Sequence, residues 1–126
     1  MNSAFVVLIS FLSMILGIDE AEIVFAGDAM MHQGQIDAAR CPDGSYDFND
    51  CFDNIRSYVE SSDYAVVNLE TPISKPPYSG YPCFNSPDAY LDALADAGFD
   101  LFLTANNHTL DRRDNGLRNT IDALDA

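Results

Sequence analysis

The stretch Asp100-Leu-Phe-Leu-Thr-Ala-Asn-Asn-His108 decides the fold, because an apolar run opened by an acid ends abruptly in three consecutive side chains that bind metals or hydrogen-bonding ligands. Leu101, Phe102, Leu103 and Thr104 are β-prone and do not alternate with polar residues, the pattern of a strand covered on both faces of a parallel sheet. Asn106, Asn107 and His108 fall just past its carboxyl end, where open α/β sheets place their ligands. Two stretches upstream repeat the design, Glu22-Ile-Val-Phe-Ala-Gly-Asp28 and Tyr64-Ala-Val-Val-Asn-Leu-Glu70. Asp28 and Asn68 are 40 positions apart, and Asn68 and Asn107 are 39 apart, which leaves room for one helical crossover each time. The reading is an α/β fold, a parallel βαβαβ sheet with crossover helices. Such a sheet would bring Asp28, Asn68, Glu70, Asn107 and His108 to one edge.

The segments between these runs supply the crossovers. Gly27 reads as a turn that lets Asp28 leave the sheet. A helical turn or two is expected over residues 35–40, and Cys41-Pro-Asp-Gly-Ser45 is a turn by its chemistry. Phe48, Phe52, Ile55 and Val59 recur at helical spacing and predict a helix over residues 48–61. Residues 71–86 hold four prolines, Gly80, Tyr78, Tyr81 and Phe84, which excludes a regular helix and predicts a packed lid over the site. Ser86 at the cap position and Pro87 in the first turn read as the start of a second crossover helix, with Leu91, Leu94 and Ala97 inward and Gly98 ending it. A third helix follows over residues 112–126, with Leu117, Ile121 and Leu124 on one face. No stop signal follows it, so the chain is expected to be the amino-terminal part of a larger fold.

With 20 acids against 6 bases, a net charge of −14 argues against a nucleic-acid or anionic-membrane partner held by a general basic surface. It suits cations better. The apolar run over residues 4–18, followed by Asp19-Glu20-Ala21-Glu22, reads as a secretory leader or membrane anchor occupying residues 1–21. It is short for a span, and no Lys or Arg precedes it. The expectation is an extracytoplasmic protein, with membrane association if the segment is retained. Cys41, Cys51 and Cys83 have no zinc-knuckle spacing. Export would permit a Cys41–Cys51 disulfide, and small buried thiols are the equal alternative. His32 reads as a surface or packing residue rather than a ligand.

Aspartate, glutamate, asparagine and histidine at one sheet edge form a mixed oxygen and nitrogen donor set suited to manganese, iron or zinc. Two such ions about 4 Å apart would clamp a phosphoryl group. Asparagine in turns usually satisfies backbone, but three coincident strand ends weaken that reading here.

The runs Phe25-Ala-Gly-Asp28, Val67-Asn-Leu-Glu70 and Thr104-Ala-Asn-Asn-His-Thr-Leu-Asp111, with Asp96-Ala-Gly-Phe-Asp100 between, resemble the CapA family of bacterial capsule and poly-γ-glutamate synthesis proteins. The resemblance covers nearly all of residues 23–126. It implies a calcineurin-like metallophosphoesterase fold, an α-β-β-α sandwich of which residues 22–126 would form the amino-terminal half. It also implies Asp28, Asn107 and one or both of Asn68 and Glu70 as ligands of one or two divalent ions, with His108 as acid or electrostatic stabiliser near the leaving group. The pattern departs from many metallophosphoesterases in having Asp28-Ala-Met30 where they carry Asp-x-His, and no later histidine motif follows within the chain. The implied function is capsule or poly-γ-glutamate synthesis with a metal-dependent hydrolase-like site acting on an envelope polymer or a phosphoester. The alternative is a non-catalytic envelope or polymer-assembly component that keeps the fold. A small flavodoxin-like domain is disfavoured because no Gly-rich phosphate cradle follows any strand.

Overall fold

Three β-prone runs pair as parallel strands in the computed structural model, which describes Gly17 and residues 20–126. They are β1 (Ile23–Ala29), β2 (Tyr64–Leu69) and β3 (Leu101–Leu103), in the order β1-β2-β3. Helices α1 (Gln33–Ala38) and α2 (Asp53–Glu60) lie in the first connection, α3 (Asp88–Asp96) in the second, and α4 (Arg113–Leu124) after β3. This is the expected parallel α/β arrangement. Except for Gly17, the apolar run read as a leader or anchor lies outside the described residues. Among the described residues no helix is long and apolar enough to cross a membrane.

Aspartates bracket the amino ends of the strands. Asp63 accepts from Glu22 N and its own N–H donates to Glu22 O, tying β1 to the start of β2. Asp100 does the same for Ala65, with the Ala65 N–H 2.8 Å from Asp100 Oδ2 and the Asp100 N–H 2.9 Å from Ala65 O. Register is thereby set at the end opposite the site, so the side chains at the carboxyl ends arrive at fixed heights.

The sheet is covered on one face. Val24, Ala65, Val67, Leu69 and Phe102 belong to the core with Val59 of α2 and Tyr90, Leu91, Ala93 and Leu94 of α3. Each aliphatic side chain buried this way contributes about 1.5–3 kcal/mol. The other face carries Ile23, Phe25, Leu101 and Leu103, which are 52, 74, 40 and 47% exposed. Val66 of β2, on that same face, is nonetheless 4% exposed, so among the described residues the expectation of strands covered on both faces holds at the middle strand and fails at its two neighbours. The side chains that reach the core share the one period-two face turned to the helices.

Four local expectations also change. Gly27 makes no turn: β1 continues through it to Ala29, and a register shift between Phe25 and Asp28 lets Asp28 pair with Asn68. The helix expected over residues 48–61 is broken into a short 3-10 turn, Asn49–Cys51, and α2. Asp47 Oδ1 takes both the main-chain N–H and the side-chain amide of Asn49, holding that turn apart from the helix. Ser86 does not cap α3, since Pro87 occupies the cap position without a side-chain hydrogen bond. The buried Ser86 hydroxyl instead meets Thr71 Oγ1 at 2.7 Å. On α4 Gly116 and Thr120 are the buried residues; of the three expected, Leu124 packs against the core while Ile121 is 48% exposed. Thr120 Oγ1 accepts from Ile73 N at 2.9 Å, so the small residues win the contact because they allow this close approach.

The segment over residues 71–86 is packed rather than loose. Pro72, Ile73, Gly80, Phe84, Asn85 and Ser86 are buried, and Asn85 Nδ2 donates to Lys75 O and Pro77 O at 2.8 and 2.9 Å. Tyr78 sets its edge on Tyr46 at 5.4 Å. Cys41, Cys51 and Cys83 are free thiols, so no Cys41–Cys51 bridge forms. Partial desolvation, with Asp50 and Asp47 nearby, pushes the Cys51 thiol up and keeps it protonated at neutral pH.

Candidate functional site

Parallel pairing brings the strand ends together. Asp28 in β1 and Asn68 in β2 are register partners, and Glu70 follows β2 directly. Asn68 Nδ2 lies 2.8 Å from Asp28 Oδ1 and 2.8 Å from Glu70 Oε2, so one amide group bridges two carboxylates. Its other end is also committed. Asn106 Nδ2 donates to Asn68 Oδ1 at 3.1 Å and to Leu69 O at 3.0 Å.

Asn106 is in turn held by backbone. Its Oδ1 accepts from His108 N at 3.0 Å, an Asx turn, and Thr109 Oγ1 accepts from Asn106 N at 3.1 Å. With both ends of the Asn106 amide fixed by main-chain groups, the Asn68 amide has one satisfied orientation, N–H₂ toward the acids. The sequence placed Asn106 among the ligand-type residues but gave it no role. It is the residue that orders the network.

The same turn aims His108. Its Nδ1 sits 2.8 Å from Asp111 Oδ2, with both side chains 13% exposed. The same Asp111 oxygen accepts the main-chain N–H of Phe84 at 2.7 Å. His108 Nε2 then faces Glu70 Oε1 at 4.0 Å, beyond hydrogen-bond reach but within direct electrostatic range. The fully buried Phe84 ring stands edge-on to His108 at 4.6 Å and to His32 at 5.3 Å. Asp111 is the functional residue sequence reasoning missed, although its spacing three after His108 was a usable signal.

Asp28, Asn68, Glu70 and His108 are thus brought to one place. Asn107 is exposed, and no side-chain hydrogen bond holds it among the described residues. His32 is also exposed and approaches the site only across Phe84. No group of three His, Cys, Asp or Glu side chains able to hold a metal ion occurs among the described residues. Any cation here would therefore rely on amide oxygen as well as the two carboxylates. Asp28 and Glu70 both meet the Asn68 N–H₂ group, so a cation held by the two carboxylates would have to take the place of that amide donor between them.

The sequence model of the bacterial capsule synthesis protein family PGA_cap matches residues 22–126, the whole of the described fold from β1 onward. The chain belongs to the PGA_cap family. Its function is therefore of the capsule-synthesis type, in agreement with the CapA resemblance of its strand-end motifs. No curated protein matches the chain. Within the PGA_cap match fall all the residues that build the site, from Asp28 to Asp111.

Proposed function

We propose that this PGA_cap domain carries a metal-dependent, hydrolase-like site that acts on an envelope polymer or a phosphoester during capsule synthesis, outside the cytoplasm. The observation that carries the reading is the convergence of Asp28 and Glu70 on a single amide, with an aspartate-held histidine alongside. Asp28 and Glu70 would hold one divalent cation, manganese, iron or zinc, with the exposed Asn107 amide free to join them and Asn68 in reach. When bound, such a cation supplies Lewis-acid polarisation of a phosphoryl or carbonyl oxygen.

The chain's own residues do the rest. Asp111 fixes the His108 tautomer with its proton on Nδ1, which leaves Nε2 turned toward Glu70 and the substrate side. Protonated on Nε2 as well, the imidazolium would deliver that second proton to a leaving group and return to the neutral Nδ1–H form. Phe84 packs against the imidazole and excludes water from its flank. The apolar run over residues 4–18 supports an extracytoplasmic location, and retained, it would tether the protein to the membrane.

The test is a screen of phosphoester and γ-glutamyl substrates with the full-length protein, run alongside His108→Ala. Turnover that disappears in His108→Ala while metal content is unchanged is the expected result. Metal-free protein with no turnover on either class would sink the hydrolase reading and leave a non-catalytic assembly role.

A further inference from the structure

We propose that Arg112 is the anion-recognition residue of this site and, with His32, takes a carboxylate or phosphate group of the substrate. The inference rests on the reading above for the identity of the substrate, but not for the binding itself.

Among the described residues, Arg56 and Arg118 have carboxylate partners, whereas Arg40, Lys75, Arg112 and Arg113 have none within ion-pair distance. Arg40, Lys75 and Arg113 are exposed, and Arg112 alone of the four is partly buried. Its Nε is buried without an acceptor. A half-buried guanidinium lacking a counter-charge is unfavourable, in a chain that has 20 acids to offer. With Nε buried and Nη2 donating to Ser79 Oγ, the remaining N–H groups of its planar fork are left for a carboxylate or phosphate.

Arg112 is also placed and held. It directly follows Asp111, which carries His108, and its Nη2 donates to Ser79 Oγ. Ser79 Oγ itself donates to Cys83 O, so the hydroxyl has its lone pairs turned to the arginine. Gly116 lacks the Cβ that would collide with Arg112 Cβ, which lets the side chain lie across the start of α4. The next residue after Ser79 packs on the other basic group: a Cβ at Gly80 would strike the backbone of His32 and Gln33. Arg112 and the exposed His32 therefore flank the adjacent residues Ser79 and Gly80, and Phe84 from the same loop touches both His32 and His108. With a net charge of −14, the chain repels an anionic polymer except where such a local patch offsets it.

The experiment is titration of the full-length protein with inorganic phosphate and, separately, with a γ-linked triglutamate, followed by amide chemical shifts and calorimetry. Wild type should bind at least one of the two probes, and which one binds tells phosphate from carboxylate recognition. Arg112→Gln should bind that probe at least about tenfold more weakly, the loss of a charge-assisted hydrogen bond, and Arg112→Lys should fall between. If Arg112→Gln fails to fold, Arg112→Lys and His32→Gln decide, each expected weaker than wild type. Neither probe binding wild type at millimolar concentration, or the Arg112 and His32 variants binding as wild type does, would overturn the proposal. Anion binding that persists in a protein found to lack metal and turnover would uphold it while removing the hydrolase reading.

Discussion

Replacing Asp111 by alanine should be among the most costly single changes near the site. One oxygen of Asp111 accepts two bonds, from Phe84 N at 2.7 Å and from His108 Nδ1 at 2.8 Å. The Asp111 side chain is 13% exposed, so water would not fully replace it. Each stranded donor costs about 1–3 kcal/mol, giving a loss of about 2–6 kcal/mol for the pair. Asp111→Asn keeps an oxygen acceptor and loses only the charge assistance, so its loss should be smaller, about 1–2 kcal/mol. Urea unfolding of full-length protein reads this directly: with a slope of about 2 kcal/mol/M, the midpoint for Asp111→Ala should fall by about 1–3 M. Hydrogen exchange supplies a local check, since the Phe84 amide should lose its protection in the alanine variant. A change within about 0.5 kcal/mol, the usual range for a surface substitution, would refute the idea that Asp111 ties the proline-rich loop to His108.

Leu94, 1% exposed in α3, should cost about 2–5 kcal/mol when cut to alanine, measured by the same unfolding assay. Gly116→Ala should destabilise despite the roughly 1 kcal/mol that alanine gains in a helix, because the new Cβ would collide with Arg112 Cβ; a rise in melting temperature would contradict this packing. Burial, with Cys51 adding to it, pushes the Tyr90 phenol well above its ordinary value. The folded state then holds that proton more tightly than the unfolded chain, whose phenol titrates near pH 10. The resulting stability is complete below about pH 10 and is lost as pH rises beyond it. Tyr90→Phe should flatten this alkaline decline, leaving the smaller part due to Tyr78, whose pKa is also raised chiefly by burial; equal slopes in both proteins would refute it.

The strands were legible in the sequence because each apolar run has strand length and each gap has crossover length. The acids at their starts proved to be register brackets, a role visible only once Asp63 and Asp100 were seen beside Glu22 and Ala65. One-sided covering was not legible, since a continuous apolar run reads the same whether one face or two are packed. Nor was the packed face of α4. Apolar periodicity favoured Leu117, Ile121 and Leu124, of which Leu124 does pack against the core, whereas close approach to Ile73 selected Gly116 and Thr120 for burial. At the site, residue type found Asp28, Asn68, Glu70 and His108. It gave no means of dividing roles between the adjacent Asn106 and Asn107, because the division depends on the Asx turn that points one amide into the network and leaves the other exposed.

Whether Asp28 and Glu70 hold a cation can be decided by calorimetric titration of manganese and zinc into full-length wild type, Asp28→Ala, Glu70→Ala and His108→Ala. Wild type and His108→Ala should bind one ion with similar affinity, weakening as pH falls and protons compete for the carboxylates. The Asp28 and Glu70 variants should lose at least about tenfold in affinity, the order expected when one carboxylate ligand is removed. Equal binding by folded wild type, Asp28→Ala and Glu70→Ala, or no binding by wild type, would mean that the Asp28–Asn68–Glu70 network is a structural brace and not a metal site.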